Sequence, residues 1–299
     1  MSRLIITGAG GFLGSNLING LIAGTYFDEI AAVTLGAEQM KNRFHGTAGL
    51  EIYEADAIAS GDVVLRSEDL IVNCAYPRAM KGADVTRGLD YIETIFQEAA
   101  KASVRGLINI SSQSVYDPQR DHPASETDMP ALTDEYAVGK YCMEMLLRNL
   151  CEDIPYTNIR LASLIGPGFD ARVPNKMARF ALEKGEITAQ VNNQRFGYLD
   201  VADAVRGLIG ILQLPPAKWK PVYNLGAEKT YSLVEMAECI ADTVRSITGK
   251  NVIIQKVQGD AELNTDLDSS LLISDIGQYC ETSLEKSISQ IVKHMLAEC

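Results

Sequence analysis

A strand-like run, RLIIT, leads directly into GAGGFLGSNLI, which sets Gly8, Gly11 and Gly14 at three-residue intervals between the first strand and the first helix. Each glycine has its own task in such a junction. Gly8 permits a tight turn, Gly11 lets the backbone approach a pyrophosphate, and Gly14 lets the helix pack close to the strand. The helix N-terminus adds amide donors and the positive end of its dipole. Further apolar runs (IAAVTL, LIVNCA, GLINIS, YTNIRLA) follow, separated by helix-length segments such as DVTRGLDYIETIFQEAAKAS. Continuous apolar strands alternating with helices build a parallel sheet covered on both faces. The expected class is α/β, and the glycine junction is expected to bind a nucleotide.

After about Ile165 the rhythm changes. GPG punctuates the chain, a helix follows (NKMARFALEKG), then polar loops, PVYNLG, and a long helix from an N-cap at Ser232 to Gly249. Residues 1–165 therefore read as a nucleotide-binding domain. Residues 166–299 read as a smaller lobe completing a cleft over the carboxyl edge of the sheet, with about 197–226 returning to the first domain.

Composition narrows the partners. A net charge of −12 leaves no basic stripe for nucleic acid and disfavours anionic membranes. No stretch approaches the ~20 apolar residues of a membrane span, and the N-terminus runs into a strand with no separate apolar leader. The cytoplasm is the expected location. Six cysteines (Cys74, Cys142, Cys151, Cys239, Cys280, Cys299) form no CxxC pair and three histidines lie far apart. Buried reduced thiols are expected, with no metal site and no disulfide framework.

Tyr136 and Lys140, in DEYAVGKYCMEM, stand one helical turn apart and leave the same face. A lysine ammonium beside a phenol favours the phenolate, which suits acid/base work. The spacing alone is weak, since a solvated helix face has it too; its order among other motifs gives it weight. GxxGxxG, then EAD with Asp56, IVNCAYP, INISSQSVYDP, EYAVGK, NIRLASLIGPG, QRFGYLDVADA and VYNLG follow one another along nearly the whole chain.

This order resembles the extended short-chain dehydrogenase/reductases, the NAD(P)-dependent epimerase/dehydratase family. The resemblance implies a doubly wound Rossmann sheet with a smaller C-terminal α/β substrate-binding lobe. It implies NAD or NADP held by Gly8, Gly11, Phe12, Leu13, Gly14, Asp56, Ala57, Cys74, Ala75, Tyr136 and Lys140. It implies Tyr136 as acid/base, Ser112 holding the reacting oxygen, and Lys140 supporting the tyrosine while gripping the nicotinamide ribose. The substrate of such enzymes is a sugar, usually nucleotide-linked, which Ser112, Gln113, Ser163, Arg172 and Arg195 are placed to hold.

Four positions depart from the family pattern. The second strand ends VTLGAEQMKNR, without the acidic residue expected on the ribose of NAD; Leu35 and Gly36 stand there, with Lys41 and Arg43 further on, so NADP is open. The Asp-Glu pair of the 4,6-dehydratases is replaced by Gln113 and Ser114, which argues against elimination of water. Ser163 replaces the asparagine after the sixth strand, and no late phosphate arginine is evident. A 4-epimerase or ketoreductase leads; a reductase of a small non-nucleotide ketone or aldehyde and a non-catalytic dinucleotide sensor are the alternatives. Apolar residues on DVTRGLDYIETIFQEAAKAS (Val85, Leu89, Ile92, Ile95, Phe96, Ala99) and on the Tyr136 helix (Val138, Tyr141, Cys142, Met145, Leu146, Leu150) exceed one narrow stripe. That excess is extra core or the four-helix homodimer contact common in the family.

Overall fold

The structure, a computed structural model, describes residues 2–76, 83–260 and 262–298, without the side chains of 83–85. Pro77 of the IVNCAYP stretch, the Val85 side chain and Cys299 lie outside the described residues. In chain order the elements are β1 (Arg3–Thr7), α1 (Phe12–Gly24), β2 (Glu29–Thr34), α2 (Ala37–Arg43), β3 (Leu50–Glu54), α3 (Ala57–Ser60), β4 (Leu70–Asn73), α4 (Ala83–Lys101), β5 (Gly106–Ile110), α5 (Glu135–Leu150) and β6 (Tyr156–Leu161). Then come β7 (Ser163–Ile165), α6 (Val173–Lys184), β8 (Glu186–Val191), β9 (Tyr198–Asp200), α7 (Val201–Gln213), β10 (Val222–Leu225), α8 (Leu233–Thr248), β11 (Ile253–Gln258), α9 (Ser270–Ile276) and α10 (Leu284–Ala297).

Two compact units share the chain. The first comprises 1–115, 129–161 and 208–223; the second comprises 116–128, 162–207 and 224–299. The chain passes from the first unit to the second at 161/162 and returns to the first over 208–223. Segment 116–128 joins the second unit, where the buried Tyr116 hydroxyl donates to Asn224 Oδ1 (2.8 Å) and Ala124 N–H donates to Asp266 O (3.1 Å).

The main sheet runs β10-β6-β5-β4-β1-β2-β3, and every pairing from β3 to β6 is parallel. Strand order reverses between β1 and β4, the point at which sheets of this kind bind ligands at their carboxyl ends. Ile5, Val33, Ile71 and Leu107 pack beneath Ile92, Ile95, Phe96 and Ala99 of α4 and Met143 and Leu147 of α5. Much of the apolar surplus on α4 is therefore core. The edge strand β3, LEIYE, is only partly buried, and it lacks the continuous apolar run that marks its neighbours.

One polar row crosses this apolar sheet. Thr7 Oγ1 donates to Asn73 Oδ1 (2.6 Å), Asn73 Nδ2 to Asn109 Oδ1 (3.0 Å), Asn109 Nδ2 to Asn158 Oδ1 (2.8 Å), and Asn158 Nδ2 to Pro221 O (3.4 Å). These residues are direct register partners on β1, β4, β5 and β6. A one-residue slip would leave buried amides unpaired, so the row pins the register.

Helix starts follow local chemistry. Asp134 caps α5 by accepting from Ala137 N–H (2.7 Å), and Ser232 with Glu235 forms a reciprocal capping box on α8. The second unit has its own core, with Met177 and Ala181 of α6, Met236 and Ile240 of α8, and Ile288 and Ile291 of α10 packed with Ile187 and Ala189 of β8. No helix among the described residues is long and apolar enough to cross a membrane.

The amide row yields a stability prediction. Asn109→Leu orphans one polar atom on Asn73 and one on Asn158, at about 1–3 kcal/mol each. Urea unfolding should show a loss of about 2–6 kcal/mol; a loss below about 1 kcal/mol would show that the row does not hold the register.

Candidate functional site

The glycine junction closes on itself and on the neighbouring strand. Gly8 has φ +66°, and a Cβ there would lie 2.5 Å from Ala75 N, where the chain leaves β4. A Cβ on Gly14 would lie 2.6 Å from Gly8 O, so the first turn of α1 can pack this closely only without a side chain. Gly11 differs. Its N–H donates to Gly8 O (3.0 Å), and its missing Cβ would meet only Gly8 O, at 3.1 Å. Gly11 also caps α1 with no side-chain hydrogen bond. The turn is therefore held by Gly8 and Gly14 and left open to a ligand at Gly11. A Cβ on Gly10 would lie 2.5 Å from Thr34 Oγ1, so a side chain there would force the Thr34 hydroxyl to turn, although the three-residue spacing does not single this glycine out.

A cavity of about 760 Å³ lies at this junction in the first unit, walled by Gly8, Gly10, Gly11, Thr34, Ala75 and Tyr76 among others. Cys74 also lines it, and burial pushes its thiol up to about 12 against the pull of the Lys140 charge. Phe12, Leu13 and Gly14 form the first turn of α1 and are not among the residues that line it. The wall at the end of β3 is formed by Ala55. Asp56 is exposed at the start of α3, and the Ala57 side chain is in the core. A cradle that added Cβ atoms would fill, below an uncapped helix, fits the pyrophosphate of a dinucleotide.

Tyr136 and Lys140 occupy the first turns of α5. The buried Lys140 Nζ donates to Ile110 O (2.7 Å), the last carbonyl of β5, two residues before Ser112. This contact ties the Tyr136 turn to the strand end that carries the serine. Ser112 is buried, and its Oγ accepts from Ser114 N–H (3.1 Å) and donates to Ser114 Oγ (3.2 Å). Gln113 begins the short 3-10 turn 113–115 and donates to Ser114 Oγ (3.5 Å).

Several residues that support this group were not among the sequence candidates. The ammonium of Lys140 lies 4.4 Å from the centroid of the Tyr76 ring and 6.0 Å from that of Tyr136. Tyr76 meets Tyr136 edge to face at 5.1 Å and donates to its backbone carbonyl at 3.4 Å. Burial, then the neighbouring Tyr136, pushes the Tyr76 phenol up to about 12, so Tyr76 is not itself a base near neutrality. A Cβ on Gly139 would lie 2.3 Å from the Tyr76 hydroxyl, so the Tyr76 side chain occupies the space this glycine leaves. One turn further, buried Glu144 accepts from Ser111 Oγ and from both Nε (3.1 Å) and Nη2 (2.9 Å) of buried Arg160 on β6. Glu144 follows Lys140 by four residues, a spacing that signals a shared face.

The remaining candidates stand in the second unit. Ser163 opens β7, in register with Tyr198. Arg172 stands at the N-cap position of α6 without a side-chain capping bond, its guanidinium 5.0 Å from the Phe169 ring centroid. Arg195 Nη1 donates to Glu235 Oε2 (2.8 Å), the carboxylate that also closes the capping box of α8.

Comparison with known proteins adds relatives. The model of the NAD dependent epimerase/dehydratase family matches residues 4–226. A UDP-glucose 4-epimerase of Caenorhabditis elegans is 23% identical, covering 97% of this chain and 96% of the relative. The protein CapI of Staphylococcus aureus is 23% identical over 97% of each. Among solved structures, a UDP-glucuronic acid 4-epimerase from Bacillus cereus in complex with UDP-glucuronic acid and NAD superposes with a TM-score of 0.81 at 17% identity, covering 99% of this chain and 100% of that one. A dTDP-glucose 4,6-dehydratase from Bacillus anthracis in complex with NAD gives 0.84 at 16% identity, covering 99% and 97%. At such identities the structural likeness concerns the fold.

The two kinds of glycine separate in experiment. Gly14→Ala should cost about 1–3 kcal/mol of folding stability through overpacking. Gly11→Val should fold and lose at least ~100-fold in dinucleotide affinity, about 2.8 kcal/mol. Unchanged affinity of purified Gly11→Val in calorimetry would remove the phosphate-binding role.

Proposed function

The chain belongs to the NAD dependent epimerase/dehydratase family, and we propose that it acts within it as a 4-epimerase or ketoreductase of a nucleotide-linked sugar. The observation that carries this reading is the buried Lys140, pinned to the strand end that leads to Ser112, on the same helix turn as Tyr136. A bound nicotinamide dinucleotide would supply reversible hydride acceptance. The protein's part is to place and move a proton. Tyr136 exchanges it at its phenolic oxygen with the sugar hydroxyl or carbonyl, and Ser112 Oγ holds that same oxygen. Lys140, its ammonium 6.0 Å from the Tyr136 ring centroid, supports the phenolate form of that tyrosine. Gln113 and Ser114 bring no carboxylate next to Ser112, which favours these reactions over loss of water.

A nucleotide-linked substrate has the support of the relatives, among them UDP-glucose 4-epimerases of Caenorhabditis elegans and Haemophilus influenzae. A small non-nucleotide ketone or aldehyde is the second reading. Ser163 in place of asparagine and the pairing of Arg195 with Glu235 favour it. Thermal-shift measurements with UDP-, GDP- and dTDP-sugars in the presence of dinucleotide decide between them, because a ligand of the folded state raises apparent stability. A rise with one sugar nucleotide is expected, and none with any of them would favour the small substrate.

Cytoplasmic residence and a homodimer belong to the same proposal. The first rests on the sequence, whose cysteines form no paired spacing. The second rests on α5, where Val138 is exposed and Tyr141, Cys142 and Met145 stay only half-buried.

Two tests follow. Tyr136→Phe should keep fold and dinucleotide binding while turnover falls by a factor on the order of 10²–10⁴; equal turnover in mutant and wild type would reject the assignment. Light scattering at micromolar concentration should return twice the chain mass, and a monomeric mass with dinucleotide present would reject the dimer.

A further inference from the structure

Charge is unevenly distributed in this molecule. The chain carries a net charge of −12, yet the described residues that line the cavity at the glycine junction include no Asp or Glu and two arginines, Arg43 and Arg87. Burial holds the Cys74 thiol and the Tyr76 and Tyr91 phenols of this wall neutral, each pushed up to about 12. The described lining of this cavity therefore carries no carboxylate, although the protein as a whole is acidic.

The end of β2 shows the same pattern. A fold of this kind that takes an unphosphorylated adenosine ribose places a carboxylate about 20 residues beyond the glycines, where it accepts from the ribose hydroxyls. Here β2 ends at Thr34, whose Oγ1 already accepts from Gly10 N–H (3.2 Å) and Gly36 N–H (3.5 Å). Leu35 comes next and is 85% exposed, and Gly36 has no side chain. None of these three carries a charge. Helix α2 then brings Gln39 and Arg43 to the same wall, with the Arg43 guanidinium 5.3 Å from the Phe44 ring centroid. Among the described residues Arg43 has no ion-pair partner.

We propose that this cavity prefers the 2′-phosphorylated dinucleotide, NADP(H), with Arg43 as the phosphate-binding side chain and Leu35 standing where a carboxylate would reject the phosphate. The inference rests on the dinucleotide reading above and goes against the cofactor in the family's name. A phosphate monoester carries about −1.5 to −2 charges at neutral pH, and a guanidinium meets it with paired, charge-assisted hydrogen bonds. A carboxylate at the end of β2 would repel that charge. Its absence also deprives the unphosphorylated ribose of a charged acceptor, so both effects favour the same form. Arg43 is exposed, so the preference should weaken as salt rises.

Calorimetry on nucleotide-stripped protein, with NADP⁺ and NAD⁺ in one low-salt buffer, tests this without any assay of turnover. Wild type should bind NADP⁺ more tightly by about 10–100-fold, the worth of one or two charge-assisted contacts. Arg43→Gln should narrow the gap by about tenfold, through NADP⁺ alone. Leu35→Asp should reverse the order. NAD⁺ bound as tightly as NADP⁺ by wild type, or an Arg43→Gln variant that keeps the full preference, would overturn the proposal and leave dinucleotide binding standing. If neither dinucleotide binds, the dinucleotide reading falls and this inference falls with it.

Discussion

The first unit depends on a row of buried amides. Thr7, Asn73, Asn109 and Asn158 sit at one level of four parallel strands and hand hydrogen bonds along to Pro221. An apolar sheet of Ile, Leu and Val has little to choose between neighbouring registers, because a residue of similar size arrives at each step. Buried amides do discriminate, since each lost partner costs about 1–3 kcal/mol. The functional groups are referenced to this row. Asn73 Oδ1 also accepts from Ala75 N–H (3.3 Å), and Ala75 is the wall that Gly8 approaches. Asn109 precedes Ile110, whose carbonyl holds Lys140, and Ser112 follows two residues later.

Above this row the site is braced from two sides. Tyr76 follows the end of β4 and lies against Tyr136 and Lys140, while Glu144 ties α5 to the chain just beyond β5 through Ser111 and to β6 through Arg160. The Glu144–Arg160 pair is buried, and pairs of this kind contribute little net stability; removing one partner is what costs, about 3–5 kcal/mol. Their effect is orientation. A helix that begins at Asp134 is gripped at Lys140 and again at Glu144, so the Tyr136 turn is fixed relative to the serine loop.

Electrostatics divides the molecule along functional lines. Carboxylates are plentiful in the chain and missing from the described wall of the dinucleotide cavity. A global field of −12 would work against an anionic cofactor, and the glycine junction offers it backbone amides and an uncapped helix end without a carboxylate in the described lining. Any phosphate-bearing ligand is therefore held by short-range contacts, which act within the Debye length of about 8 Å at physiological salt.

The alternation of strands and helices, the glycine junction and the Tyr136–Lys140 turn are local features, and the sequence determined them. Continuous apolar runs can be buried only on both faces, glycines at three-residue intervals leave room only for close backbone approach, and a four-residue spacing lies on one helix face. The long-range contacts were decided by the tertiary structure. Tyr76 and Gly139 are 63 positions apart, and nothing local tells a tyrosine after the fourth strand that a missing Cβ awaits it. Only α2 carries Arg43 to the cavity wall, and β3, an edge strand that hides only part of itself, shows no continuous apolar run. Segment 116–128 went to the second unit because Tyr116 found Asn224 there. Periodicity and spacing record what a residue needs from its neighbours in sequence; only the assembled sheet decides which distant side chain arrives to supply the rest.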